Sequence, residues 1–351
     1  MESKGKRFIV WLVFLLSVVS LTSFAGNTER IGTAGATELL IPVGARSVAL
    51  VGQGMIFDQG AEAMFWNPAG LGRMDRGVEA LVSQMSEFNG EVNITAIGIG
   101  ISAGDMGTLG FSLKSLSFGD IPVTTVNQID GTGETYSPTD MMVGVTYAKG
   151  LTDRVAVGIT ATLVSEKIQS SSATGIAFNI GVQYRNLGVE GLDLGVVVKN
   201  IGPSMTYSGS SQLVTALDQN SLQPLPSLFQ YQAAPFDLPS SMEVGIGYTK
   251  KLDDKNSIMG GGTFRNNNYQ DDEYLLGAEY SFDNLLFLRG GYDFSPQTNN
   301  DVTGAKGYPF DYSLGAGVHT DVGGVDLAFD YAFQHMMYFT GNHIVSLRLG
   351  F

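Results

Sequence analysis

The chain lacks cysteine altogether and carries few charged residues, and each scarcity excludes a class of protein. Without cysteine it can form no disulfide framework, no thiolate metal site and no lipid-modified N-terminal cysteine. Charged residues make up 15% of the 351 residues, and the formal net charge of −14 argues against nucleic acid as a partner. Beyond the N-terminal region, no apolar run approaches the roughly 18 residues of a transmembrane helix. The chain is therefore either an exported soluble protein or a membrane β-barrel.

Residues 1–25 are typical of a secretory signal peptide that is cleaved from the mature protein. Three basic residues precede an apolar stretch over residues 8–19, and residues 23–25 (SFA) fit a small-x-small cleavage site. An uncleaved membrane anchor is the alternative, but the apolar stretch is too short to span a bilayer comfortably.

Fourteen later segments alternate apolar and polar residues. Because successive side chains of a strand point to opposite faces, each segment has one apolar face and one polar face. Each is long enough to cross a bilayer as a tilted strand, and an even number is typical of bacterial single-chain barrels. The segments are 78–88, 91–102, 107–119, 139–149, 154–168, 174–186, 191–202, 240–251, 257–268, 272–282, 285–295, 310–320, 323–335 and 341–351. The pattern predicts an all-β fold, a 14-stranded antiparallel transmembrane β-barrel. In segment 91–102 the phase changes between Ile94 and Ile97, which predicts a β-bulge.

The loop lengths favour this barrel over the alternative, a soluble β-sandwich. The three longest connections, 120–138, 203–239 and 296–309, all follow odd-numbered strands, whereas the connections after even-numbered strands are short. Outer-membrane barrels have short periplasmic turns, long outer loops and both termini on the periplasmic side. Aromatic girdles at the two interfaces are also expected, here from tyrosines near strand ends: Tyr147, Tyr184, Tyr248, Tyr280 and Tyr312. The predicted location is the bacterial outer membrane, with its lipid as a partner.

Residues 26–77 do not resemble a further strand and are predicted to form a hatch that plugs the barrel, with residues 78–351 as the barrel itself. A short helical stretch is expected over residues 59–66, and Asn67-Pro68 can cap a following helix. A simple turn between two short helices is the alternative. The hatch motif comprises Phe65, Trp66, Asn67, Pro68, Ala69 and Gly70.

Charged residues on the polar face are expected to line the lumen, because a charge facing lipid is costly. The principal candidates for a lumen network are Glu279, Arg289, Asp293, Asp326, Asp330 and Arg348. Arg289 and Asp293, four apart on one face, are the leading wall contributors. Two interpretations of these charges are left open. The charges pair with one another in a hydrated wall, or they line a selective polar pore. Inward-facing glycines leave space beside the hatch. That space could hold a ligand, but the curvature of the strands and their packing against the hatch would explain the glycines equally well.

Two further segments have predicted roles. The last strand presents Val345, Leu347, Leu349 and Phe351 on one apolar face, as expected of an insertion signal for the barrel-assembly machinery. The 203–239 loop is apolar and nearly uncharged, so it could cap a site, dock a partner or fold over the barrel mouth.

The three histidines are scattered without metal-ligand spacing, so no catalytic residue, metal or cofactor is expected and the protein is predicted not to be an enzyme.

The N-terminal region resembles a known family. Residues 32–36 (GTAGA), 41–50 (IPVGARSVAL) and 61–71 (AEAMFWNPAGL) are similar to the signature of PorV/PorQ proteins, which are themselves similar to FadL long-chain fatty-acid channels. The acidic pair that normally precedes the small-residue helix is only partly kept, as Asp58-Gln59.

This resemblance implies a hatch-plugged, fourteen-stranded barrel and two candidate functions. PorV-type members serve type IX secretion, with a large secretion channel and exported proteins as partners. FadL relatives pass hydrophobic ligands inward through the hatch and a lateral opening. The secretion-associated function is the leading expectation because the motifs are most similar to PorV/PorQ, and passive transport of hydrophobic molecules is the alternative.

Overall fold

The computed structural model describes residues 32–217, 226–296 and 310–351, so the predicted signal peptide lies outside the described residues. Fourteen long strands dominate this part of the chain. They are β1 (Val78–Glu87), β2 (Val92–Ser102), β3 (Thr108–Ser117), β4 (Thr139–Gly150), β5 (Val155–Ile168), β6 (Ser171–Tyr184), β7 (Leu192–Ile201), β8 (Ser241–Lys251), β9 (Asn256–Asn267), β10 (Glu273–Phe282), β11 (Leu286–Phe294), β12 (Phe310–Val322), β13 (Val325–Met336) and β14 (Asn342–Gly350).

These strands form a closed antiparallel barrel. Each strand pairs with its neighbour in sequence, and β14 returns to pair with β1, with Glu79 opposite Gly350. Closure leaves no unpaired sheet edge, which a bilayer would penalise because it offers backbone groups no hydrogen-bond partners. The prediction of a 14-stranded antiparallel barrel is confirmed, and the strand bounds differ from the predicted ones by at most three residues.

The predicted bulge in β2 is wrong. The pairing of β2 with β1 and with β3 is continuous, and Ile94 is a buried, inward-facing residue while Ile97 faces outward. The apparent phase change therefore reflects an apolar side chain inside the lumen. One ladder that does shift register is β6–β7, where Asn200 has a φ of 56° and its N–H donates to Asn179 Oδ1 at 2.7 Å.

The polarity of the two faces is the reverse of that in a water-soluble protein: the outer face of the barrel is apolar and the inner face is polar. Outward positions carry exposed apolar side chains such as Phe111, Leu288 and Leu314, whereas the inward Glu243 and Arg289 are buried. A sandwich would bury its apolar face and expose its charges, so this arrangement favours a barrel surrounded by lipid. Tyrosine side chains lie on the same outward face, and the exposed ones include Tyr147, Tyr248, Tyr280 and Tyr312.

The two ends of the barrel differ. At the end we call the terminal end, the chain enters β1 and leaves β14, and the Gly77 N–H donates to the Phe351 carbonyl at 3.0 Å. The opposite end is the loop end, where the strands joined by the three longest connections, 118–138, 202–240 and 295–309, end and begin. The 202–240 connection contains a two-stranded hairpin, Leu213–Leu217 paired with Pro226–Gln230. Two-residue strands are found at Ile121–Pro122, Thr135–Tyr136 and Ser208–Gly209.

Residues 32–77 fold inside the barrel as a set of short helical turns, and we refer to this segment as the hatch. It contains helices α1 (Ala45–Ala49), α2 (Gly54–Phe57) and α3 (Ala63–Trp66). Three 3₁₀ turns accompany them, Thr37–Leu40, Gly60–Glu62 and Pro68–Arg73. No helix among the described residues has the length and apolar character needed to cross a bilayer.

The C-terminal residue takes part in barrel closure, which generates a first prediction. The Phe351 N–H donates to the Val78 carbonyl at 2.9 Å, and the ring is exposed on the outer surface in line with Val345 and Leu347. Deleting Phe351 should lower the yield of assembled barrel, because it removes both this closure contact and the last apolar residue of the predicted insertion signal. The yield is measured from the heat-modifiable band on gels of outer membranes. A full amount of heat-modifiable barrel in the deletion variant would contradict the prediction.

Candidate functional site in the barrel lumen

Inward-facing glycines of the wall lie directly against the hatch. A Cβ added at Gly158 would lie 2.4 Å from a backbone atom of Pro68, and one at Gly181 would lie 1.9 Å from Asn67 Oδ1. Hatch atoms would also lie within 3 Å of a Cβ at Gly110, Gly195, Gly245, Gly277, Gly291 and Gly315. The space that the sequence suggested beside the hatch is therefore filled by the hatch itself.

The glycines form a belt because the strand registers align them. Gly158 lies opposite Gly181 in the β5–β6 ladder, and Gly195 lies opposite Gly245 in the β7–β8 ladder. Gly277 on β10 is flanked by glycines on both neighbouring strands. We call this set the glycine belt. It brings the hatch backbone into van der Waals contact with the wall backbone, an approach that any side chain would prevent.

Asn67 fastens the hatch to the belt. Its amide nitrogen donates to the carbonyls of Met55 within the hatch, at 2.9 Å, and Val182 on β6, at 3.1 Å. Its Oδ1 accepts from the Ala69 N–H at 3.1 Å and so caps the Pro68–Arg73 turn. The side chain is fully buried. The structure thus places the predicted capping residue at a junction of three segments.

The other residues of the hatch motif surround this junction. The Trp66 indole N–H donates to the Val43 carbonyl at 2.8 Å, and the Lys199 ammonium lies 5.0 Å from the centre of the ring. Pro68, Ala69 and Gly70 are buried, and a Cβ at Gly70 would lie 2.2 Å from the Asp58 carbonyl oxygen. Phe65 is half-buried.

Glu279, Arg289 and Asp330, three of the six predicted lumen charges, form ion pairs with one another. Arg289 contacts Glu279 at 2.6 Å and Asp330 at 2.5 Å. Arg46 of α1 extends this group, since it contacts Glu279 at 3.1 Å and Asp58 at 3.3 Å. The hatch is therefore tied to β10 by the Arg46 guanidinium, a contact that the sequence analysis did not identify. The His319 ring also lies 3.1 Å from Asp330.

Asp293 belongs to a different group. Four residues along a strand span about 13 Å, which is too far for Arg289 and Asp293 to pair directly. Asp293 instead lies towards the loop end, where Arg265 contacts Glu243 at 3.0 Å and Glu273 at 2.7 Å. Lys199 also contacts Glu243, at 3.1 Å.

Asp326 and Arg348, the remaining two, are half-buried near the terminal end. Arg348 acts electrostatically on Asp58 and Glu62 of the hatch, and Asp326 acts on Glu79. Burial, followed by repulsion from Asp58, raises the pKa of Glu62 to about 8. Its Oε1 accepts the Ser47 N–H at 3.2 Å.

A cavity of about 240 Å³ lies between the hatch and the wall on the loop-end side. The hatch contributes an apolar surface that includes Leu39, Ile41 and Trp66, and the wall contributes mainly polar and charged side chains. The residues that line the cavity outside the hatch are Ser112, Lys114, Met142, Thr160, Thr162, Asn179, Lys199, Asn200, Ser241, Glu243, Arg265, Tyr269, Gln270, Asp293, Asp311, Tyr312, Ser313 and Gln334, of which Tyr269 and Gln270 belong to the connection between β9 and β10. Ligand sites for drug-sized molecules are about 300–1,000 Å³, so this cavity suits a smaller molecule. Among the described residues, no group of three or more acidic, histidine or cysteine side chains could hold a metal ion.

Comparison with proteins of known structure finds barrels of the same fold. The chain is similar to the CymD monoaromatic hydrocarbon channel, with 15% identity and a TM-score of 0.53 over 89% of this chain and 98% of that one. It is also similar to the Pseudomonas putida toluene transporter TodX, with 14% identity and a TM-score of 0.50 over 88% and 97% of the two chains. No family model and no curated protein matches the sequence. At these identities the likeness defines the fold.

Asn67 provides the test of how the hatch is held. Replacing it by alanine leaves the Met55 and Val182 carbonyls without this donor, at a cost of about 1–3 kcal/mol for a buried partner left unsatisfied. Asn67→Ala should therefore loosen the hatch and raise single-channel conductance in planar bilayers.

The matched control for that measurement is Asn93→Ala, because the Asn93 side chain donates to the Gly90 carbonyl in an exposed turn. Its conductance should equal that of the unmodified protein. An Asn67→Ala barrel that conducts no more than the control would show that the hatch does not depend on this junction.

Proposed function

We propose that the chain is an outer-membrane barrel that admits a small hydrophobic or amphipathic molecule through its hatch-plugged lumen. The observation that carries the proposal is the loop-end cavity, which offers an apolar hatch surface opposite a polar wall. The outward apolar band, the barrel closure and the long loops at one end support the membrane location. Lipid and the barrel-assembly machinery are the partners implied by that location.

The neighbours of known structure support transport over secretion as the leading function. CymD is described as a monoaromatic hydrocarbon channel and TodX as a toluene transporter. The present cavity differs from a purely apolar site, since Lys199, Glu243 and Arg265 line it. A ring that packs against Trp66 while a polar substituent reaches this wall would satisfy both surfaces. We therefore infer a ligand with a ring or short apolar body and at least one hydrogen-bonding group.

A PorV/PorQ-type role in secretion is retained as a second candidate. It rests on the N-terminal motifs and on the exposed loop-end hairpin, where Leu228 is 65% exposed and the neighbouring Tyr231 69%. Exposed apolar surface of this kind commonly marks a binding surface for another protein.

A single tryptophan makes the transport proposal testable. Trp66 is the only tryptophan outside residues 1–25, so the emission of the mature protein reports on the cavity directly. Toluene and phenol should each change this emission saturably, with phenol binding more tightly. Thr162→Phe, which fills the cavity, should weaken phenol binding by about tenfold or more, equivalent to about 1.4 kcal/mol.

The control variant is Ile159→Phe, which changes an outward residue on the same strand and should leave the titration unaltered. If neither probe binds saturably, the transport proposal fails. Stoichiometric co-purification of a large secretion channel from native membranes, with no bound small molecule, would then favour the secretion candidate.

A further inference from the structure

Two buried carboxyls face each other between the hatch and the wall near the loop end. Glu38 lies in the Thr37–Leu40 turn of the hatch, and Glu166 lies close to the end of β5 at Ile168. Both residues are 5% exposed, and the Glu38 carboxyl lies within hydrogen-bonding reach of the Glu166 carboxyl. We call these two side chains the carboxyl pair. None of the ion pairs described above includes either of them.

The carboxyl pair lacks a donor for one oxygen of each side chain. The Tyr207 hydroxyl donates to Glu166 Oε2. Oε1 of Glu166 and Oε1 of Glu38 are buried, and no donor among the described residues reaches them. Two ionised carboxylates are acceptors only, so they cannot bond to each other. A proton bound by one of the two supplies the missing donor and removes the repulsion between like charges.

The charged groups that face the pair from neighbouring strands are mainly acidic. Asp140 on β4 lies directly opposite Glu166 and acts electrostatically on Glu38. The nearby cation is Lys114 on β3, whose ammonium donates to the Glu38 carbonyl at 2.7 Å and to the Ile41 carbonyl at 2.9 Å. Two of its three N–H groups are thus used by the hatch backbone. Three carboxyls around one ammonium favour uptake of a proton.

The direction of the pH dependence follows from Glu38. Burial, followed by repulsion from Glu166, raises the pKa of Glu38 from 4.5 to about 8. The proton is therefore bound at lower pH and lost as the pH rises through about 8, and the contact between hatch and β5 weakens in the same direction. Burial and the bond to Glu166 also raise the pKa of Tyr207 above its ordinary value, so this donor is retained over the same range.

The carboxyl pair joins three segments of the chain. Besides the hatch turn and β5, it holds the 202–240 connection through Tyr207, whose ring packs on Phe236 with centroids 5.7 Å apart. The Phe236 ring in turn lies so close to Gly35 that an added Cβ would be 2.2 Å from it. Leu39 and Ile41, which adjoin the turn's Glu38, line the cavity. A change at the pair is therefore transmitted to the edge of the cavity.

We propose that the carboxyl pair is a proton-dependent latch, which holds the Thr37–Leu40 turn against β5 when one proton is bound and releases the turn from the wall when the proton is lost. Release opens the cavity towards the loop end. The inference adds regulation to the proposed function, and it rests on that function only for the ligand that an opened cavity would admit.

The pH dependence of tryptophan quenching tests the latch. Trp66 lines the cavity and is 6% exposed, so its quenching by acrylamide, an uncharged molecule, reports access to the cavity. Quenching is measured on the purified mature protein in detergent from about pH 6 to about pH 10, on either side of the pKa of Glu38. Glu38→Gln and Glu166→Gln each replace the shared proton by a permanent amide donor. Glu91→Gln, which changes an exposed carboxyl at the same end, is the matched control.

Quenching of the unmodified protein and of Glu91→Gln should increase with pH, with a midpoint near pH 8, whereas both variants of the carboxyl pair should stay at their low-pH level. Quenching of the unmodified protein that does not change with pH would overturn the latch. A rise that persists in both glutamine variants would also overturn it, because another group such as Glu62 would then be responsible. Heat-modifiability establishes that each variant has folded. No ligand takes part, so a failure of toluene and phenol to bind would refute the proposed function without altering this result.

Discussion

The contact between hatch backbone and wall backbone is the constraint on which the lumen depends. Strand pairing alone makes a hollow barrel, and the inward side chains of fourteen strands would not leave room for 46 residues of hatch. The glycine belt removes those side chains where the hatch backbone approaches the wall. Because Gly158 lies opposite Gly181 and Gly195 lies opposite Gly245, the clearance extends across both strands of the β5–β6 pair and of the β7–β8 pair. Asn67 then replaces the missing side-chain contacts with hydrogen bonds to strand carbonyls.

Buried charge divides the lumen into two regions with different roles. Towards the terminal end, Arg46 and Arg289 share the carboxylate of Glu279 and bind hatch and wall together. Removing one partner from such a buried pair generally costs about 3–5 kcal/mol, because the other charge is left unpaired. Towards the loop end, Lys199 and Arg265 share Glu243 beside an open cavity. The first region connects the hatch to the wall, and the second surrounds the cavity.

The sequence predicted the barrel well because alternation and loop length are local properties that the lipid environment enforces. All fourteen strands and the placement of the long loops followed from them.

The contacts inside the barrel could not be predicted in the same way, since the sequence does not show whether an inward-facing glycine borders empty space or contacts the hatch. Ile94 was assigned to a bulge for a similar reason: an apolar residue facing inward has no signature apart from its phase. Arg289 and Asp293 share a face of β11 but lie towards opposite ends of the lumen, and Arg289 contacts Glu279, directly opposite on β10, and Asp330 on β13. The register that brings these side chains together is not visible in a single strand. The start of the hatch is fixed by hydrogen bonds from the Gly32 N–H to the Tyr269 carbonyl and from the Gly35 N–H to the Asp237 carbonyl, contacts between distant residues that no local pattern reveals.

Conductance of two alanine variants tests the seating of the hatch most directly. At Gly158 a methyl group would lie 2.4 Å from a backbone atom of Pro68, whereas at the outward-facing Gly260 the nearest contact would be 3.7 Å. Both variants should assemble as barrels in planar bilayers. The account predicts that Gly158→Ala displaces the hatch and conducts more than the unmodified protein, and that Gly260→Ala does not. Equal, low conductance of both variants would contradict the claim that the hatch rests directly on the glycine belt.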